Sequence, residues 1–501
     1  MKSLIRRIEE SAAATWPASL ALAVVACLVL AICRILLTVS FREPSLILTS
    51  GLEEEALFSV WKSVQGQTVY SDPFSIPFSG SYFNWFFYLV YGSTTAFILK
   101  HLELADEWIP TITHTLSLMS AVLCIPLSVL VVRELDVLPA KRSFWLGAGA
   151  GVLVAFSPLV GWWNLTTRPD IGALLLELMA LFLCLRFVKT DRLGYVCAAV
   201  PLAFLAWSFR QIAVNTITGL CLYLIVRRRW KILAAAVGVT FTFYGTTFLL
   251  GGAHYWSNTV TCLAVSDLVI SHGVDNLLLA VRKSPLLLAG IAASAVLFTQ
   301  TGWRRARPES VFLFLTWAFS LGWNFLTSMK IGASDNYFMP SAALGVFFAV
   351  STLRTGQEGS PTRLFERASF AVLAFAQAAT CVVVLGGGAG RIDLREDQVP
   401  SLALKSVLRS ADGPILVTDR WLNLPWINPT TPHFVYAYVY RAGPLQTHSY
   451  EAGGLEGLID QRYFKRVIVP KGPRGSSWPD LARNYKVQSE DPLFTYYTPA
   501  K

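Results

Sequence analysis

The sequence predicts an α-helical polytopic membrane protein with about eleven transmembrane helices. Interfacial helices are expected in its first outer loop, and a small C-terminal α/β domain outside the membrane. Three observations predict this class. Several apolar runs reach the ~18–20 residues that a bilayer crossing needs. Of 501 residues, 54% are hydrophobic and only 15% charged. The basic residues behind the formal charge of +10 sit in short clusters between apolar runs, the pattern of loops that face the cytoplasm. That pattern accounts for the charge without a nucleic-acid partner.

The first span is expected at 17–38. Lys2, Arg6 and Arg7 precede it as in a signal peptide, but the apolar run is long and lacks a small-residue cleavage site, so it reads as an uncleaved anchor. The segment 82–100 is apolar enough to cross. If it crossed, Arg133, Lys141 and Arg142 and every later basic loop would lie outside. If it rests in the interface, all of them fall inside: Arg186/Lys189/Arg192, Arg227/Arg228/Arg229/Lys231, Arg304/Arg305/Arg307 and Arg354/Arg363/Arg367. The orientation rule selects the interfacial placement, and the aromatic density from Tyr82 to Tyr91 suits it. The remaining spans read 110–132, 143–160, 171–187, 194–208, 211–226, 232–251, 284–299, 309–328, 337–353 and 367–387. An odd number of crossings puts the N-terminus in the cytoplasm and the tail outside, in an inner (cytoplasmic) membrane. The chain thus divides into a membrane domain, 1–387, with its first outer loop at 39–109, and an extracytoplasmic domain, 388–501. Gly386 to Gly388 form the hinge. Pro414 to Thr418 and Arg466 to Pro470 look like buried strands, and Leu455 to Gln461 and Pro479 to Asn484 like short helices. The eight cysteines form no disulfide framework, and no metal-ligand spacing is present.

The first outer loop opens with three adjacent carboxylates, Glu53, Glu54 and Glu55. Ser50 and Glu53 have capping-box spacing. From Leu52 to Val64 the apolar residues recur on one helical face, Gly66 ends the helix, and Asp72-Pro73 starts a turn. Glu53 projects into the apolar sector, Glu54 at its edge beside Phe58 and Trp61, and Glu55 near Ser59 and Lys62. The plain reading is that all three answer the positive end of the helix dipole. The functional one is that a carboxylate bordering aromatic surface is poised as a base; capping accounts best for Glu53, and Glu54 and Glu55 are the catalytic candidates.

Further polar groups collect on the same expected face. Trp162-Trp163-Asn164 leads to Arg168-Pro169-Asp170, Arg210-Gln211 sits at the tip of a short helix pair, and Lys330 to Tyr337 includes Gly332, Asn336 and Tyr337. Each also has a plain reading: Arg168-Pro169-Asp170 as a helix start, Arg210 as a snorkelling cation, Lys330 as a surface lysine. His254 and Trp256 read as interfacial belt residues. Carboxylates and cations at an outer leaflet suit transfer from a lipid-phosphate donor, the carboxylate taking a proton from an acceptor hydroxyl and the cations holding the phosphate.

In order and sidedness, these motifs (an N-terminal span, Glu54-Glu55 with Trp61, Gly66 and Tyr70, then Arg168 to Asp170, then Gly332 to Tyr337) resemble the polytopic GT-C glycosyltransferases, most of all the protein O-mannosyltransferase and aminoarabinose (lipid A) transferase group. The resemblance covers most of the chain to about residue 390. It implies inverting transfer of a sugar from a polyprenyl-phosphate donor to a lipid, glycan or protein acceptor of the cell envelope. It also implies a catalytic Glu54 or Glu55 and substrate binding by Arg168, Asp170, Arg210, Lys330, Asn336 and Tyr337; Glu53 and Gln211, beside them in the chain, complete the substrate-binding candidates. The acidic pair of the family is usually Asp-Glu, here Glu-Glu, which leaves the choice of base open. No organic cofactor is implied, and a divalent cation stays compatible because metal dependence varies within the superfamily. Membrane lipids are the remaining expected partners. The competing class is a multi-span transporter or lipid flippase, which calls for mid-membrane ionisable residues and repeated halves.

Overall fold

The computed structural model describes residues 2–39, 53–264, 267–301, 306–353, 361–387, 404, 407–408, 413–418, 423–429, 449–471 and 481–500. Ser50, and with it the capping box, lies outside the described residues, as do Arg304, Arg305, Arg354 and Gly388. The helices are α1 (Lys2–Val39), α2 (Glu53–Val64), α3 (Trp85–His101), α4 (Ile109–Glu134), α5 (Ala140–Phe156), α6 (Asp170–Thr190), α7 (Leu193–Phe209), α8 (Asn215–Val226) and α9 (Trp230–Trp256), then α10 (Ile270–Lys283), α11 (Ala289–Val296), α12 (Pro308–Ser328), α13 (Met339–Thr352), α14 (Pro361–Gly387) and α15 (Gly454–Asp460).

Each expected span coincides with a helix or part of one, because the apolar runs that suit a bilayer also favour a backbone that satisfies its own hydrogen bonds. The chain is a multi-pass membrane protein. The count of eleven is not reached by length. Among the described residues six helices are long and apolar enough to cross: Trp16–Leu36, Asp106–Glu134, Asp170–Thr190, Trp230–Ala264, Pro308–Ser328 and Arg367–Gly386. A seventh arises if Ile270–Lys283 and Pro285–Thr299, bent by 107°, form one span. The expected crossing at 284–299 is thus the second arm of a bent pair. α7 and α8, with 17 and 12 residues, are short for ~30 Å of hydrocarbon. α3, expected at the interface, is not among the crossing candidates.

The chain forms two compact units, Met1–Thr38 with Leu116–Thr247 and Asp267–Arg391, and Val39–Thr115 with Phe248–Ser266 and Ile392–Lys501. They cut across the linear division at 387, because the first loop and the tail fall in one unit. In the first unit a continuous apolar core includes Cys27, Leu153, Leu178, Leu220, Phe312 and Phe347. Close helix approach there depends on glycine. A Cβ at Gly147 or Gly151 of α5 would lie 2.6 Å from the Cα of Val129 or Ile125 of α4, so this Gly-x-x-x-Gly face brings two backbones together.

In the second unit the tail carries four strands, β1 (Ile415–Val417), β2 (Arg466–Pro470), β3 (Tyr485–Glu490) and β4 (Phe494–Pro499), in the order β1-β2-β4-β3. β1 pairs parallel with β2, Leu416 opposite Val467, and β4 lies antiparallel to both β2 and β3. The two expected strands and the helix at 455–461 are present; of 479–484 a 3-10 turn at Leu481–Arg483 is described. The sheet buries Leu416, Val467, Leu455, Leu458, Phe464 and Tyr485 together with Phe78 of the first loop.

Candidate active site

α2 starts at Glu53 and stops where Gly66 takes φ +68°, a left-handed turn that glycine adopts without strain. Glu53, Glu54 and Glu55 are 0%, 0% and 1% exposed. A helix dipole offers a carboxylate about 0.3–1 kcal/mol, whereas burying an ion costs several kcal/mol. The dipole alone therefore does not account for three buried carboxylates in one turn. Glu53 is met by His114 of α4, whose Nε2 lies 2.7 Å from its Oε1. Lys62, two turns along α2, is also buried and donates to the Val69 carbonyl (2.6 Å) and to Ser71 Oγ (3.2 Å). Burial pulls its pKa down to about 8 because the charged form is desolvated. The Trp61 indole donates to Asp106 (2.9 Å), and Tyr70 OH to the Phe83 carbonyl (2.7 Å). Desolvation pushes the Tyr70 phenol up. At Asp72 the expected turn is present: its carboxylate accepts from Phe74 N and Ser75 Oγ.

In the first unit three segments far apart in sequence meet at Asp170, in the first turn of α6. Its Oδ1 accepts from Arg210 Nη1 (2.7 Å) at the end of α7 and from Asn336 Nδ2 (2.6 Å), and its Oδ2 faces Arg168 Nε (3.4 Å). Arg210 stacks over the Tyr337 ring at 4.7 Å and Arg168 over Trp163 at 4.8 Å, within cation–π range. All four polar side chains are buried. The helix-start reading of Arg168-Pro169-Asp170 describes the backbone correctly, and the two guanidiniums add a paired, doubly hydrogen-bonded charge to it. Two buried guanidiniums around one carboxylate leave a net positive cluster, suited to an anion.

Gln211 is half-buried beside Arg210. Lys330 is half-buried, its backbone bridging Leu268, and its amine is not among the groups around Asp170. Desolvation lowers its pKa to about 8. Asp335, next to Asn336, pairs with Lys283 at 2.8 Å. His254 and Trp256 are exposed, as belt residues are.

Two ionisable residues escaped the sequence reading. His114 lies inside the apolar run of α4. Glu177 lies in α6, where its Oε1 accepts from Asn215 N (2.8 Å) and its Oε2 from Asn215 Nδ2 (2.9 Å), closing the free amides at the start of α8. The signal for both was an ionisable side chain within a span. Asn258 joins Ser81 N, Ser71 O and His254 O. Among the described residues no three His, Cys, Asp or Glu side chains are grouped to hold a metal.

The fold is shared with solved structures. The chain is similar to ArnT from Cupriavidus metallidurans bound to undecaprenyl phosphate, at 14% identity over 99% of this chain and 98% of that one, TM-score 0.54. It is similar to the apo state of the same protein at 14% identity over 95% and 97%, TM-score 0.56. An oligosaccharyltransferase from Archaeoglobus fulgidus in complex with Zn and sulfate matches at 15% identity over 90% of this chain and 68% of that one, TM-score 0.51. At such identity these are likenesses of fold alone. No protein-family model matches the sequence, and no curated protein does.

Proposed function

We propose that this protein is a membrane glycosyltransferase that moves a sugar from a polyprenyl-phosphate donor to a cell-envelope acceptor on the extracytoplasmic side, with inversion. The acceptor oxygen attacks the anomeric carbon and forms the new glycosidic bond. The bond from that carbon to the phosphate oxygen breaks, and the lipid phosphate leaves with its electron pair. Glu54 or Glu55 receives the acceptor proton. Arg168 and Arg210 supply cations of the kind that stabilise a departing phosphate, and Lys330, Gln211, Asn336 and Tyr337 are further substrate contacts in this reading. The observation that carries it is the buried carboxylate trio of α2, in a fold shared with a protein crystallised with undecaprenyl phosphate.

A transporter or lipid flippase is the second reading. The 107° break between Lys283 and Pro285 favours it, since broken helices mark many transporter sites. One experiment separates the two. Membranes containing wild-type, Glu54→Gln or Glu55→Gln protein are supplied with radiolabelled polyprenyl-phosphate sugars and envelope acceptors. A new glycosidic product is expected from wild type, with a loss of at least ~10²-fold in one variant, the scale of a lost general base. Equal transfer by both variants removes the base. Movement of label across the membrane without a new bond selects the transporter.

A further inference from the structure

We propose that the C-terminal domain is a clamp on the first outer loop, with Tyr450 and Glu451 as positioning residues for the glutamates of α2; this rests on the reading of α2 as the catalytic helix. Glu451 holds the loop by its backbone at two points. Its N–H donates to the Phe74 carbonyl (3.1 Å), and its Oε2 accepts from Ile76 N (2.8 Å). The Tyr450 ring meets Phe74 and Phe78 edge to face, at 5.4 and 5.8 Å. Phe78 is 1% exposed, inside the tail's own core beside Leu416, Leu455 and Phe464. It keeps φ +58°, a conformation costly for an aromatic residue. The burial of its ring is what holds it there.

From Phe78 the path to α2 is short and polar. Ser81 N donates to Asn258 Oδ1 (2.7 Å), and its hydroxyl donates to the Val69 carbonyl (2.8 Å). With that proton committed, Ser59 of α2 donates to Ser81 Oγ (2.8 Å). Lys62 of α2 meets the same Val69 carbonyl. Ser59 lies one turn from Glu55 on α2. A tail that merely rode on the surface would not complete its core with a residue 338 to 407 positions upstream, nor hold the loop whose other end is bonded to α2.

The test uses the full-length protein in nanodiscs, comparing wild type with Tyr450→Ala, Tyr450→Phe and Glu451→Ala. Hydrogen exchange is followed at the amides of 53–84 and of α6. The expected result is at least tenfold faster exchange across α2 in Tyr450→Ala, with Tyr450→Phe near wild type and α6 unchanged. Faster exchange confined to the tail and to 74–78, with α2 unmoved, overturns the clamp. Should Tyr450→Ala not fold, Glu451→Ala, which spares the ring, serves the same comparison. In the transfer assay Tyr450→Ala and Glu451→Ala should lose about fivefold or more in kcat at an unchanged donor KM, with Tyr450→Phe near wild type; a changed KM at full kcat contradicts positioning of the base. If the exchange result holds but wild type transfers no sugar, the clamp stands and the glycosyltransferase reading falls.

Discussion

Asp170 shows how much a single side chain can hold in a dry place. It is 3% exposed and answers two buried guanidiniums and one amide. Removing its charge strands Arg168 and Arg210, whereas removing Asn336 deletes one hydrogen bond. Asp170→Asn should therefore cost about 3–5 kcal/mol and Asn336→Ala about 1–2 kcal/mol. Thermal melts in detergent give the order, and equal shifts would dismiss the ion cluster as the main stabiliser. Lys62 makes a prediction of opposite sign to that of a lysine held by an ion pair, whose pKa is raised on folding. Its folded pKa of about 8 lies below the ordinary 10.5, so between these values the unfolded chain binds more protons. Stability should rise with pH across that window, by at most about 1.4 kcal/mol per unit, and the penalty is fully present below pH 8. Lys330 contributes in the same window, so the informative quantity is the slope lost in Lys62→Met. An unchanged slope assigns the effect elsewhere. Arg168, Asp170, Arg210 and Asn336 were legible as odd polar residues in an apolar chain. That they meet was not, because contact between positions 170 and 336 depends on the register of several helices. His114 and Glu177 were legible in the same way and were passed over inside their runs.

At the scale of elements, α2 could be drawn from its sequence almost to the residue: acidic first turn, one apolar face, glycine stop. The bend before Pro285 could not, since hydropathy sums over a window and is blind to direction. The β3–β4 hairpin also escaped, although Asp491-Pro492 marks its turn; Asp491 accepts from Leu493 N, Phe494 N and Tyr496 OH. Helix packing was hidden as well, and it yields a sharp contrast within α5. A methyl at Gly151 meets the Ile125 backbone at 2.6 Å, but one at Gly149 meets side chains, Val24 at 3.3 Å and Leu20 at 4.0 Å. Gly151→Ala should destabilise by about 1–3 kcal/mol or more, and Gly149→Ala should be tolerated. Melting temperatures of the two purified variants decide it; similar values would mean that α4 and α5 yield more easily than the close approach implies.

For the whole molecule the decisive property is sidedness, and the first unit already has two chemically distinct ends. At one, Arg186 bonds Glu134 and Tyr195, Lys189 pairs with Asp136, and Arg229 with Asp191. These residues lie at or just past the ends of α4, α6 and α8 and in the first turn of α7. At the other end of α6 and α7 lie Asp170 and Arg210. The 21 residues of α6 span roughly 31 Å, about the hydrocarbon thickness of a bilayer, so a crossing by α6 predicts that these two ends face different compartments. Short basic loops favour the cytoplasm, so the proposed reaction predicts the Asp170 cluster at the outer face. The proposed reaction in turn requires the loop holding α2 on that same face, since its base and its phosphate-binding cations must serve one reaction. Single cysteines at Gln67, Ile331 and Arg192, all exposed positions, placed in a cysteine-free background, test this with a membrane-impermeant maleimide. Gln67→Cys and Ile331→Cys should react in intact cells with their outer leaflet accessible, and Arg192→Cys only after permeabilisation. Labelling of Gln67→Cys and Ile331→Cys from opposite faces would separate the carboxylates from the cations by a bilayer, and no transfer reaction could then use both.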